Sequence, residues 1–152
     1  MPLPEIDIFQ ARCGSVTAPA GCGKTQLIAD ALTQHFGRKP VLVLTHTNAG
    51  VTALRTRLQR GNVPSSSYTL STIDGFAMRL AAKFPIRSGI NTRVLELANP
   101  NADYLAIRTS VERLLQAGDI NDVISSNYSH LLVDEYQDCN KTQHNIVCSI
   151  AQ

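Results

Sequence analysis

Apolar positions along this chain recur at two spacings, and the alternation between them lays out an order of strands and helices. Over residues 26–36, Leu27, Ile28, Ala31, Leu32 and Phe36 fall on one side at helical spacing, and Gly37 ends the run. Residues 41–45, inside KPVLVLTHTN, form an unbroken apolar stretch of the kind that fills a strand buried on both faces. A helix from about Ala49 then places Val51, Leu54 and Leu58 on one face and stops at Gly61. Upstream, residues 15–18 predict a short strand that runs into a Gly-rich turn. Downstream, residues 68–71 predict another strand, followed by a helix with Phe76, Ala77, Leu80 and Ala81 on one side, halted before Pro85. Residues 85–100 are less regular. Asp103 is placed to cap a helix whose apolar side is Tyr104, Ile107, Val111, Leu114 and Leu115, with Gly118 closing it. A short piece at 120–124, a strand at 130–133 and a helix over about 140–150 complete the order. Strands alternating with helices in this way predict an α/β fold with a parallel sheet covered by helices on both faces.

Composition narrows the class without choosing a function. The 152 residues suffice for one domain, and a 43% hydrophobic content is that of a folded chain and not a disordered one. A formal charge of +2 permits a nucleic acid partner without requiring it. Arg55, Arg57 and Arg60 gather in one segment, which is more often a solvated helix face than a phosphate contact. Cys13, Cys22, Cys139 and Cys148 show neither a C-x-x-C pair nor histidines at metal-ligand spacing, so they read as reduced thiols. The opening MPLPEIDIFQ lacks an apolar core for export, and no stretch approaches the ~18 apolar residues of a membrane span. The expected address is the cytoplasm or nucleoid, or the nucleus, with no membrane partner.

Two motifs carry chemistry. Ala18-Pro19-Ala20-Gly21-Cys22-Gly23-Lys24-Thr25 has the form G-x-x-x-x-G-K-[ST], with Ala18 at the first glycine position. Successive backbone N–H groups must wrap a phosphate closely, which Gly21 and Gly23 allow, and the following helix aims its N-terminus at the same anion. Lys24 would place its charge on the β and γ phosphates of ATP, and the Thr25 hydroxyl would ligate Mg²⁺. Cys22 matters there through its backbone; a secondary expectation is that its oxidation affects nucleotide binding. The second motif, His130-Leu-Leu-Val-Asp134-Glu135-Tyr136-Gln137-Asp138, sets two carboxylates directly after an apolar strand. That is the carboxyl edge of a parallel sheet, where the phosphate loop also lies. Asp134 would hold Mg²⁺ through water, and Glu135 would orient or deprotonate the attacking water, which favours hydrolysis over transfer to a substrate hydroxyl.

Together these motifs resemble those of superfamily 1 helicases of the UvrD, Rep and PcrA type. The family's phosphate loop is similar to A-G-A-G-S-G-K-T and its acidic motif to V-D-E-F-Q-D-T-N, against APAGCGKT and VDEYQDCN here. LVLTHTNAGVTALRTRL resembles the family's T-F-T-N-K-A-A segment, and LSTIDGFAMRL its G-T-F-H segment. The resemblance covers roughly residues 14–150 and implies the partial N-terminal, RecA-like ATP-binding lobe of an ATP-dependent DNA helicase or translocase moving 3′ to 5′ on single-stranded DNA. It implies catalytic roles for Glu135, Lys24 and Gln137, which senses the γ phosphate or the water near it, and an organising role for Asp138. It also implies DNA contacts at Thr45, His46, Thr47, Asn48 and Thr72, with His46 in place of an aromatic residue. Asp74 stands where the family has a histidine, and an acid there would repel a phosphate backbone.

Other departures set further expectations. Gln10 lies closer to Lys24 than the family's adenine-reading glutamine does, and the helical insertion at about 85–128 is reduced. The family's next strand, between those bearing the loop and the acids, is expected to be missing, as is the second motor domain with its arginine finger. An incomplete sheet, a fragment or truncated product with little ATPase activity, and no unwinding are therefore expected. Repair or replication proteins are the implied partners of the intact motor. Two alternatives stay open: another P-loop ATPase, such as a clamp loader or transport ATPase, and a nucleotide-dependent DNA- or protein-binding module without turnover.

Overall fold

The computed structural model describes residues 7–19, 21–35 and 37–152, so Ala20 of the phosphate loop and Phe36 of the first helical pattern lie outside the described residues. Three strands form one parallel sheet. The central strand is β1 (Val41–Thr45), flanked by β2 (Tyr68–Thr72) and β3 (Leu131–Val133). Val43 lies opposite Leu70 on one side and Leu132 on the other. All five residues of β1 are buried, as the continuous apolar run requires of a strand covered above and below.

Alternation along β1 divides the core into two layers. Val41 and Val43 pack with Ile28, Ala29 and Leu32 of helix α1 (Lys24–Thr33) and with Leu54 and Leu58 of α2 (Asn48–Arg60). Leu42 and Leu44 face the other layer. That layer is built from α3 (Ile73–Lys83), the short α4 (Pro85–Ser88), α5 (Pro100–Gln116), α6 (Asn121–Asn127) and α7 (Lys141–Ile150). Helices thus cover both faces of a parallel sheet, which is the RecA-like architecture of a P-loop NTPase.

Several local expectations change. Residues 15–18 form no strand; they carry no regular secondary structure, and Val16 is 47% exposed. The physical reason is pairing: a strand needs a ladder neighbour, and β3 pairs only with β1 among the described residues. Asp103 is not the residue before its helix. Pro100 opens α5 and Asp103 sits one turn inside, accepting the Asn99 N–H at 2.8 Å. The irregular stretch at 85–100 contains α4 and a 3₁₀ turn at Thr92–Glu96. No helix among the described residues is long and apolar enough to cross a membrane.

Asn140 starts α7 with a reciprocal capping box: its side chain accepts from Gln143 N–H at 2.9 Å while Gln143 Oε1 accepts from Asn140 N–H at 3.1 Å. Asn140→Ala removes one arm. Loss of such a cap costs about 1 kcal/mol, so thermal denaturation should show a melting point lower by about 2–4 °C. An unchanged melting point would mean that the cap contributes nothing.

Candidate nucleotide site

The turn before α1 is built by glycine. Gly21 and Gly23 have φ of 79° and 83°, a left-handed backbone that residues with a Cβ adopt only with strain. Cys22 N–H donates to Pro19 O at 3.2 Å, tightening the turn, and Leu27 N–H donates to Gly23 O at 2.9 Å, starting the helix. The first turn of α1, which contains no acid, begins at Lys24, so its N–H groups and dipole favour an anion. Lys24 Nζ donates to Ala18 O at 2.7 Å, which draws the ammonium back over the loop.

Across from this turn, β3 delivers the acids. Asp134 N–H donates to Leu44 O at 2.8 Å, extending the ladder one residue beyond β3 and fixing the carboxylate at the sheet's carboxyl edge. There Thr25 Oγ1 donates to Asp134 Oδ2 at 3.3 Å, bridging 109 positions of sequence. The two motifs therefore meet. Asp134 is 7% exposed. Burial pushes its carboxyl above the usual range and neighbouring Glu135 adds to this, opposed by the Thr25 hydroxyl, the Glu135 N–H and Lys24. A carboxylate that is costly to ionise, beside a hydroxyl and an ammonium, suits a hard divalent cation, which would favour the ionised form. Thr25 and Asp134 are the residues that would hold Mg²⁺ there, Thr25 through its hydroxyl and Asp134 through water, with phosphate and further water completing the shell.

Glu135 has φ 55° and ψ 40°, again left-handed but without glycine's freedom. Such a conformation costs about 1–3 kcal/mol and persists only where its surroundings hold it. The following 3₁₀ turn (Tyr136–Asp138) does so: Asp138 N–H donates to Glu135 O at 3.0 Å, and the Gln137 amide donates to the Glu135 carboxylate. Gln137 thus orients the side chain expected to handle water. Tyr136 hydrogen-bonds His144 on α7, close to Cys148. The cysteines are free, and burial raises the Cys139 thiol with help from Asp138 and Asp74, which keeps it neutral.

The remaining expected site residues cluster on the same sheet edge but differ in access. Thr45 is 1% exposed and packs against Gly50, where an added Cβ would lie 2.5 Å from Thr45 Oγ1. Direct contact with a nucleic acid strand is closed to it, which corrects the expectation for that residue. Thr47 is exposed and accepts Gly50 N–H at 3.0 Å as the N-cap of α2; Asn48 is exposed beside it. His46 is half-buried, and its Nδ1 has no hydrogen-bond partner among the described residues. Thr72 caps α3 by accepting Gly75 N–H at 2.9 Å, leaving its hydroxyl proton available. Arg57 donates to Gln26 at 3.1 Å, so this member of the basic cluster ties α2 to α1.

Asp74 behaves differently from a repelling acid. Arg108 on α5 grips it bidentately, Nε to Oδ1 and Nη2 to Oδ2, both at 2.8 Å, and Gln143 Nε2 donates to Oδ1 at 3.0 Å. Burial alone would raise this carboxyl, but the hydrogen bonds from Arg108 and Gln143 and the guanidinium charge hold it below its ordinary value. Neither Arg108 nor Gln143 stood out in the sequence. For Gln143 a signal was present, since it lies three residues after Asn140 at capping-box spacing.

No curated protein and no solved structure matches the chain. A family model described as an AAA domain matches residues 5–152, spanning the phosphate loop, the acidic motif and every element between them. With a P-loop architecture suited to ATP and Mg²⁺ and a match across nearly its whole length, the chain belongs to the AAA domain family.

Proposed function

We propose that this chain is the ATP-binding lobe of an ATP-driven DNA translocase of the superfamily 1 helicase type. The observation that carries the proposal is the Thr25 to Asp134 hydrogen bond at 3.3 Å, which joins the phosphate loop to an acidic motif continuing through Glu135, Tyr136, Gln137 and Asp138. That continuation, with the exposed Thr47 and Asn48 on the same sheet edge, favours a nucleic acid motor over other P-loop hydrolases. In the intact motor, ATP binding and hydrolysis would alter the grip of this edge on single-stranded DNA, with movement 3′ to 5′ and a second lobe closing over the nucleotide.

Binding of a fluorescent oligo-dT to the 152-residue chain tests the DNA half of the reading. Affinity should fall as salt rises, because phosphate contacts release counterions. His46→Ala and Asn48→Ala should each weaken it by about 1 kcal/mol, or about fivefold. Binding that is absent, or indifferent to both substitutions, would remove DNA from the proposal. A second reading, a nucleotide-dependent binding module without turnover, follows if the Gln137 amide that donates to Glu135 withholds this carboxylate from water instead of orienting it. Single-turnover hydrolysis of bound ATP separates the two, since the module would return its nucleotide intact.

A further inference from the structure

We infer that Gln143, Asp74 and Arg108 form a positioning relay that couples the nucleotide's acidic turn to the segment expected to meet DNA. The inference rests on the function proposed above. Its core is one side chain: Gln143 is 1% exposed, and its carboxamide is engaged at both ends. Oε1 accepts the N–H of Asn140, where the chain leaves the acidic turn, and Nε2 donates to Asp74 in the first turn of α3. Asp74 follows two residues after Thr72, whose hydroxyl caps that helix.

The geometry leaves little slack. Asp74 accepts three hydrogen bonds, two from the planar guanidinium of Arg108, which also lies 5.8 Å from the centre of the Tyr104 ring. A bidentate pair fixes orientation as well as distance. A displacement of the acidic turn when the γ phosphate arrives or leaves therefore reaches Asn140, then the Gln143 amide, then the start of α3 and Thr72. Arg108 has a second effect: it neutralises a carboxylate that would otherwise repel a phosphate backbone at this edge. Asp74 and Arg108 act here through other residues, and neither touches the nucleotide site.

The test is a linkage measurement on the full chain. Affinity for a fluorescent Mg²⁺–ATP analogue is measured with and without saturating oligo-dT, in the wild type, Asp74→Asn, Arg108→Gln and the double variant. The wild type should show a change of about fivefold or more on adding DNA, within the usual range of coupling between sites. Each single variant should keep its DNA-free nucleotide affinity and a cooperative melt while the DNA effect falls to less than about twofold. The double variant should lose no more than either single change, because the pair acts as one unit. Asp74→Glu, which preserves the charge, should recover part of the coupling; a merely structural role would not tie the recovery to the DNA effect.

Wild-type coupling in both single variants would overturn the relay and leave the proposed function standing. A wild type that binds the nucleotide but no oligo-dT would overturn the proposed function, and the relay with it.

Discussion

Lys24→Ala should abolish measurable Mg²⁺–ATP binding at concentrations that saturate the wild type. The ammonium is the one cationic side chain in the loop motif, and it reaches back only as far as Ala18 O, a neutral carbonyl 2.7 Å away that a phosphate would displace. Charge-assisted hydrogen bonds to buried anions contribute about 1.5–3 kcal/mol each, and Lys24 would make contacts to two phosphates. The loss should therefore be at least about a hundredfold in affinity, since each 1.4 kcal/mol is about tenfold. Stability without nucleotide should change little, because Lys24 is only half-buried and its ammonium makes one hydrogen bond among the described residues. Calorimetric titration of both proteins checks this. Equal affinity would show that the turn does not hold phosphate.

Asp134→Asn should move stability and ligand binding in opposite directions. The folded-state carboxyl titrates above its ordinary value of 3.8, first because it is buried and then because Glu135 stands beside it. A raised carboxyl means that the folded chain holds its proton more tightly than the unfolded chain does. Stability contributed by this group is lost as pH rises from 3.8 through the folded value, and the full penalty is present at neutral pH. Asn removes that penalty and still offers an oxygen to the Thr25 hydroxyl or the Glu135 N–H. Without Mg²⁺ or nucleotide, the variant should melt higher at pH 7, by about 2–4 °C for each kcal/mol relieved. The gain in denaturation midpoint should shrink as the pH approaches 3.8. Stabilisation of the wild type by Mg²⁺–ATP should at the same time be largely lost in the variant. A variant less stable than wild type at pH 7 would mean that Asp134 supports the fold and is not held ready for a cation.

The sheet and the two motifs were legible because their signals are local. An unbroken apolar run marks β1, and the spacing of Gly21, Gly23, Lys24 and Thr25 follows directly from how a backbone wraps phosphate. The acids are readable once a strand is seen to end in front of them. Strand pairing is not local, so residues 15–18 resemble a strand by their pattern yet pair with no strand among the described residues. Long-range polar partnership is equally hidden: nothing near Asp74 indicates that Arg108, 34 residues away, neutralises it. Burial decided Thr45, where the apolar pattern of β1 carries through a residue that the motif resemblance had assigned to DNA.

The central claim is that the turn at Lys24 and Thr25 and the carboxylate of Asp134 enclose one magnesium–nucleotide site. A crystal structure of the chain with Mg²⁺ and a non-hydrolysable ATP analogue tests it most directly. The metal should lie about 2.0–2.1 Å from Thr25 Oγ1, with Asp134 hydrogen-bonded to one of its waters and Lys24 on the β and γ phosphates. Nucleotide bound away from this edge, or a metal that meets neither Thr25 nor the shell around Asp134, would contradict it.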